Sequence, residues 1–144
     1  MHLVSRVVKV IVLAVGRLRE PFADDVSHYE RLLSRHARLE AIEVREDEQV
    51  ARRLPERAFV SLLDAEGERM DSLGFSAFLE RRRQEGRDLC FVLGGPFGHR
   101  ADDARVDHRL SLGPMTLPHQ LARVVLLEQL FRAHKILAGE PYHY

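Results

Sequence analysis

Near its carboxyl end the chain reads Pro141, Tyr142, His143, Tyr144, an imidazole between two phenol rings directly after a rigid proline. Chain ends usually fray, so side chains of this kind at the last positions point to a task beyond trailing into solvent. An imidazole titrates near neutral pH and can take up or pass on a proton, and a tyrosine offers a stacking face and a hydroxyl. Upstream, Arg132 follows Glu128 by four residues, close enough on a helix to pair with it. An ordinary ion pair is therefore the first reading for Glu128, and Arg132 stays open as a cleft residue. The remaining histidines form no metal signature: there is no H-E-x-x-H and no cluster with cysteine. His28, His36, His99 and His108 read as surface or loop positions. His119 reads as a helix-start residue that caps or packs, and His134 as facing away from Arg132.

Three turn-forming stretches follow apolar runs: "LLDAEGE", "FVLGGPFGH" and "LSLGPMTLP". In open parallel sheets, ligands bind outside the carboxyl ends of the strands, where such turns direct backbone polar groups inward. Gly94, Gly95 and Gly98 allow a ligand to approach the backbone without a Cβ in the way, and Pro96 stiffens the turn. The spacing is not G-x-G-x-x-G and no Gly-Lys-Ser/Thr follows, which argues against a dinucleotide or a triphosphate.

The elements that would hold these stretches alternate along the chain. "VKVIVLAVG" predicts a strand closed by Gly16, and "PFADDVSHYERLLSRHA" a helix with Asp24 and Asp25 in its first turn. "LEAIEVRE" predicts a half-exposed strand, "RAFVSLLD" a buried one ending at Asp64, and "EGERMDS" a loop. A helix is expected over Gly74–Gln84, with Arg81, Arg82 and Arg83 on its outer side. "DLCFVL" predicts a buried strand and "HRLSLG" a short one. The last helix is expected from about His119 to Ala138, stopping at Gly139 with Pro141 beyond. Its first half is apolar nearly all round and its second half amphipathic, the pattern of a helix buried against its own sheet and a partner subunit. Strand and helix alternating in 144 residues predict one α/β domain, 1–144, with a mostly parallel sheet.

Composition narrows the function. With 45% hydrophobic and 31% charged residues and a formal charge of zero, no overall field draws the protein to nucleic acid or membrane. Any RNA contact must use a local patch, for which Arg81–Arg83 or Arg52 and Arg53 are the candidates. Cys90, the only cysteine, leaves no internal disulfide and reads as a buried, inert thiol. The apolar segment Val7–Val15 is short and interrupted by Lys9, so it reads as a strand and not a secretory signal, and the protein as cytoplasmic.

Taken in order, "VLAVG", "LLDAEGE", "FVLGGPFG", "LGPMTLPHQLARVVLLEQLFRAHKI" and the closing "PYH" resemble the small bacterial methyltransferases that modify N3 of a pseudouridine in 23S ribosomal RNA, within the SPOUT superfamily. The resemblance runs from about Val10 to Tyr144. It implies a SPOUT-type α/β fold with helices on both faces of the sheet, and a C-terminal trefoil knot, a rare exception to unknotted topology. It implies a homodimer that acts on the ribosome and has S-adenosylmethionine as its cofactor, and the lack of a metal signature leaves no metal expected. Carried onto this chain, the cofactor site comprises Leu63, Gly94, Leu112, Gly113, Pro114, Met115, Thr116 and Leu117. The positions implied for catalysis or RNA recognition are Arg132, Tyr142 and His143. On this reading His143 receives or relays the N3 proton, Tyr142 orients the base and Arg132 anchors a phosphate or carbonyl. Relatives often carry a basic residue after the histidine, whereas this chain has Tyr144. A different RNA such as transfer RNA, or a non-catalytic ribosome-associated role, are the competing expectations.

Overall fold

The structure is a computed structural model and describes residues 8–94 and 105–142. Its elements are β1 (Lys9–Val15), α1 (Phe22–Leu33), β2 (Arg38–Val44), a 3-10 turn (Asp47–Gln49) running into α2 (Val50–Arg53), β3 (Phe59–Arg69), α3 (Ser72–Glu85), β4 (Leu89–Leu93), β5 (His108–Ser111) and α4 (His119–Leu137). The strands form one sheet in the order β2-β1-β4-β3-β5, and every described pairing is parallel. This is the expected α/β architecture. The path of residues 95–104, on which the implied knot depends, lies outside the described residues.

Side-chain alternation in the strands divides the core in two. Val10, Val12 and Ala14 of β1, with Leu89, Phe91 and Leu93 of β4, face α1, α3 and α4. Ile11 and Leu13, with Cys90 and Val92, face the opposite way, where Val50 and Leu54 around the short α2 cover them. Helices therefore lie on both faces, three long ones on one side and a single turn on the other. All five residues of central β4 are buried, whereas edge strand β2 buries only Val44. Each fully buried Val, Leu or Phe contributes about 1.5–3 kcal/mol from water exclusion. Cys90 lies fully inside, and burial pushes its thiol up to about 12, the inert thiol expected.

Two expectations need correction. β3 does not stop at Asp64 but resumes pairing with β5 and continues to Arg69, so "EGERMDS" is only partly loop. Arg82 is not on the outer side of α3: it is buried, with its guanidinium 4.2 Å from the Phe59 ring centroid and 5.1 Å from that of Phe78. Position 82 continues the buried stripe of Phe75 and Leu79, and the side chain fits there by laying its flat cation on aromatic faces. Asp71 caps α3 by accepting the Gly74 N–H at 2.7 Å, worth about 1 kcal/mol. No helix among the described residues is long and apolar enough to cross a membrane.

Candidate active site

At the carboxyl ends of β3 and β4, the turn after β5 and the start of α4 close around a cavity of about 280 Å³. The volume falls near the lower end of small-molecule sites, about 300 Å³. β3 contributes Leu62, Leu63, Asp64 and Ala65, and β4 contributes Leu93 with Gly94. The turn after β5 supplies Leu112, Gly113, Met115, Thr116 and Leu117, and α4 closes the space with His119 and Ala122. No lysine or arginine is among the described residues that line it. The walls are therefore apolar groups and turn backbone, with one carboxylate and one imidazole. Only glycine fits at position 94: φ is +140°, and a Cβ there would stand 2.6 Å from the Val15 Cβ.

The β3 wall has an unusual construction. Leu63 pairs with Leu110 of β5, and Glu68 pairs with the same residue, so the four residues between them form a bulge in the ladder. This excursion is held at several points. Arg109 Nη1 donates to Asp64 Oδ2 at 2.9 Å, and Ser111 Oγ donates to the Ala65 carbonyl at 3.0 Å. The Glu66 N–H returns to Asp64 Oδ1 at 2.9 Å. His108 bridges Ser61 Oγ at 2.9 Å and Glu68 Oε1 at 2.8 Å, its ring centroid 4.8 Å from that of Phe78. Gly67 lies so close to β5 that a Cβ would meet the Arg109 carbonyl carbon at 2.6 Å.

A second polar assembly sits toward the other end of α4. Glu128 Oε2 accepts from Arg132 Nη2 at 2.7 Å, from Arg132 Nε at 3.1 Å and from the Tyr142 hydroxyl at 2.7 Å. The Arg132 guanidinium lies 4.0 Å from the Tyr142 ring centroid, and Phe131 meets the same ring edge-on at 5.5 Å. Glu128 Oε1 accepts from Gln129, and Gln129 accepts from Ser72 Oγ, both at 2.8 Å. That chain leads into a larger cavity, about 480 Å³, between α3 and α4, which meets the first along Leu112 and Gly113. Burial, then the bond to Glu128, pushes the Tyr142 hydroxyl up to about 12. Tyr142 is accordingly a hydrogen-bond donor at neutral pH and not a base.

Of the residues expected to hold a cofactor, Leu63, Gly94, Leu112, Gly113, Met115, Thr116 and Leu117 come together around one cavity, and Pro114 is not among those lining it. Arg132 and Tyr142 meet each other but do not line this cavity. Ala122 and Arg132 are ten steps apart along the helix, about 15 Å at 1.5 Å per residue. His143 lies outside the described residues, as do Gly95, Pro96, Gly98 and His99. Sequence reasoning missed three roles. Glu128 does pair with Arg132, but it is also the hub that fastens Tyr142. His119 was expected to cap or pack, yet it lines the cavity and Pro118 occupies the cap position. His108 was expected at the surface, yet its side chain is 14% exposed and makes the bridge described above.

A family model described as "Predicted SPOUT methyltransferase" matches residues 8–143. Three relatives, each named "Ribosomal RNA large subunit methyltransferase H", are similar over most of their length. The protein from Nitratidesulfovibrio vulgaris (strain DP4) is 41% identical, over 92% of this chain and 96% of its own. That from Ruminiclostridium cellulolyticum is 39% identical, over 94% of this chain and 99% of its own. That from Solidesulfovibrio magneticus is 42% identical, over 92% and 97%.

Proposed function

Because the chain belongs to the SPOUT methyltransferase family, we propose that it methylates N3 of a pseudouridine in large-subunit ribosomal RNA, with S-adenosylmethionine as donor. The observation that carries this reading is the cavity at the strand ends, walled by apolar groups and turn backbone and lacking a phosphate-binding cation among its described residues. Such walls fit a donor that has no phosphate: Leu63, Gly94 and the turn Leu112–Leu117 would hold it, backbone groups reading the adenine edge. Bound there, S-adenosylmethionine supplies an electrophilic methyl on a sulfonium. The protein's own work is to align the partners, exclude water and take away a proton.

His143 accepts or relays the N3 proton, a contribution typically of about 10²–10⁴-fold. Tyr142, which stays protonated at neutral pH, orients the base by stacking or by its hydroxyl, and Arg132 anchors a phosphate or carbonyl. The separation of this cluster from the cavity along α4 favours a homodimer in which one copy's tail serves the other copy's cavity. Zero formal charge fits a protein that recognises the shaped surface of an assembled ribosome in the cytoplasm. The docking patch is assigned to Arg52 and Arg53, both exposed and lining a groove with Arg45. Arg81–Arg83 fit less well, since Arg82 is buried and Arg83 pairs with Glu80.

The test is to treat ribosomes from cells lacking the protein with purified protein and labelled donor, then locate the methyl group by mass spectrometry of the RNA. Methyl on a large-subunit pseudouridine is expected. Methyl on transfer RNA alone would replace the substrate, and failure of the protein to bind the donor in calorimetry would remove the enzymatic reading.

A further inference from the structure

We propose that His108 is a positioning residue for the donor cavity, acting through the β3 excursion and never touching the donor itself. The inference rests on the cavity being the donor site, as read above. Its starting point is the double pairing of Leu110, which makes Asp64, Ala65, Glu66 and Gly67 a bulge in the ladder. Two of the four, Asp64 and Ala65, form cavity wall. Across this break in register the regular one-to-one match with β5 is interrupted, so the shape of that wall depends on further bonds as well.

Strand β5 supplies those bonds from three of its four positions. Arg109 holds the start of the excursion at Asp64, and Ser111 holds its middle at the Ala65 carbonyl. His108 holds both feet at once, Ser61 before the excursion and Glu68 after it. The anchor at Ser61 is firm, because that residue is fully buried in the sheet. The anchor at Glu68 is weaker, because the carboxylate is 61% exposed. The imidazole between them is pressed against Phe78, so it has little freedom to swing away. With the two feet spanned by one rigid ring, the excursion keeps a fixed width, and Asp64 and Ala65 keep their place in the wall. Loss of the bridge leaves the second foot held only by its pairing with Leu110 and Ser111, so the wall loosens and the donor must order it further as it binds.

Glu68→Ala removes the outer bond from an exposed position and leaves the core intact. His108→Phe removes both bonds and keeps a ring against Phe78. Glu68→Gln keeps an acceptor oxygen for the imidazole N–H. Calorimetric titration with S-adenosylmethionine should show affinity weakened about three- to tenfold in Glu68→Ala and His108→Phe, the worth of one or two hydrogen bonds, and restored in Glu68→Gln. In turnover assays the loss should appear in KM for the donor, with kcat at saturation within about twofold of the parent, since no group at the reacting atoms has changed. Hydrogen exchange without donor should quicken at the Glu66 amide in the two disrupting variants and not in Glu68→Gln. Unchanged affinity and unchanged exchange in folded Glu68→Ala would overturn the proposal, as would an equal loss in Glu68→Gln. If the parent protein itself fails to bind the donor, the functional reading fails, and the exchange data still decide whether His108 sets the excursion.

Discussion

At its amino end α4 borders a cavity shaped by turn backbone, glycines and apolar side chains; toward its carboxyl end it carries Glu128, Arg132 and the ring of Tyr142 in one bonded cluster. The first region is defined by what is missing, because a single Cβ at Gly94 would collide with Val15. The second is defined by what is present, three donor groups converging on one carboxylate oxygen. The difference has a practical meaning: the cavity should be broken by adding atoms, and the cluster by removing them.

The largest effect is expected from Gly94→Ala. It combines a strained positive φ with a clash against a buried strand, together on the order of 2–4 kcal/mol of stability, and donor binding should fall with it. Urea unfolding and calorimetry measure both, and a variant within 0.5 kcal/mol, about the scatter of neutral substitutions, would show that the turn can give way. Next comes removal of the tail groups. His143→Ala should lower turnover by about 10²-fold or more with donor affinity nearly unchanged. Tyr142→Phe keeps the ring over Arg132 but loses the bond to Glu128, so stability should drop by only about 0.5–1.5 kcal/mol while turnover falls further than donor affinity. A loss of donor affinity matching the loss of turnover would erase the proposed division of labour.

Alkaline pH separates the regions in a third way. The Tyr142 hydroxyl and the Cys90 thiol are both raised to about 12 when folded, above ordinary values of 10.0 and 9.0. The unfolded chain therefore loses these protons first, and stability is fully present below pH 9 and declines as pH rises toward about 12. Tyr142→Phe and Cys90→Ala should each flatten that decline in urea melts, and a cavity variant such as Gly94→Ala should leave its slope unchanged. The smallest effect is expected from Arg52→Glu with Arg53→Glu, which should weaken ribosome binding several-fold, more at low salt than at high, without altering the fold. Salt-independent binding by that variant would place the docking patch elsewhere.

Much of this comparison was legible in the sequence. Among the described residues, apolar runs and helical periods located every strand and the three long helices, and the residues named for the donor converge on one cavity, apart from Pro114. What escaped notice depended on partners remote in the chain. The renewed pairing of β3 after Asp64 is carried by Glu68 and Arg69, whose types carry no strand signal, and it is decided by Leu110. Arg82 was placed outside by its charge, although its spacing from Phe75 and Leu79 already put it on the buried stripe. His108 looked like a loop residue because its two partners, Ser61 and Glu68, lie on another strand. The single-turn α2 is too short for any periodic signal. The return of Tyr142 onto Glu128 and Arg132 was not readable at all, since spacing along a helix says nothing of where the residues after it turn.

The strand order also governs when the protein can come into being during synthesis. Val10 must find Leu89, and Ser61 must find His108, so two of the four described pairings join strands that are not consecutive in the chain. Contacts this remote cost loop-closure entropy before they repay it, and such topologies fold slowly. At about 5–20 residues per second, α1 and β2 leave the translating ribosome seconds before β5 does. The early segments must wait with their apolar faces uncovered, and the cavity at the strand ends is among the last features to form.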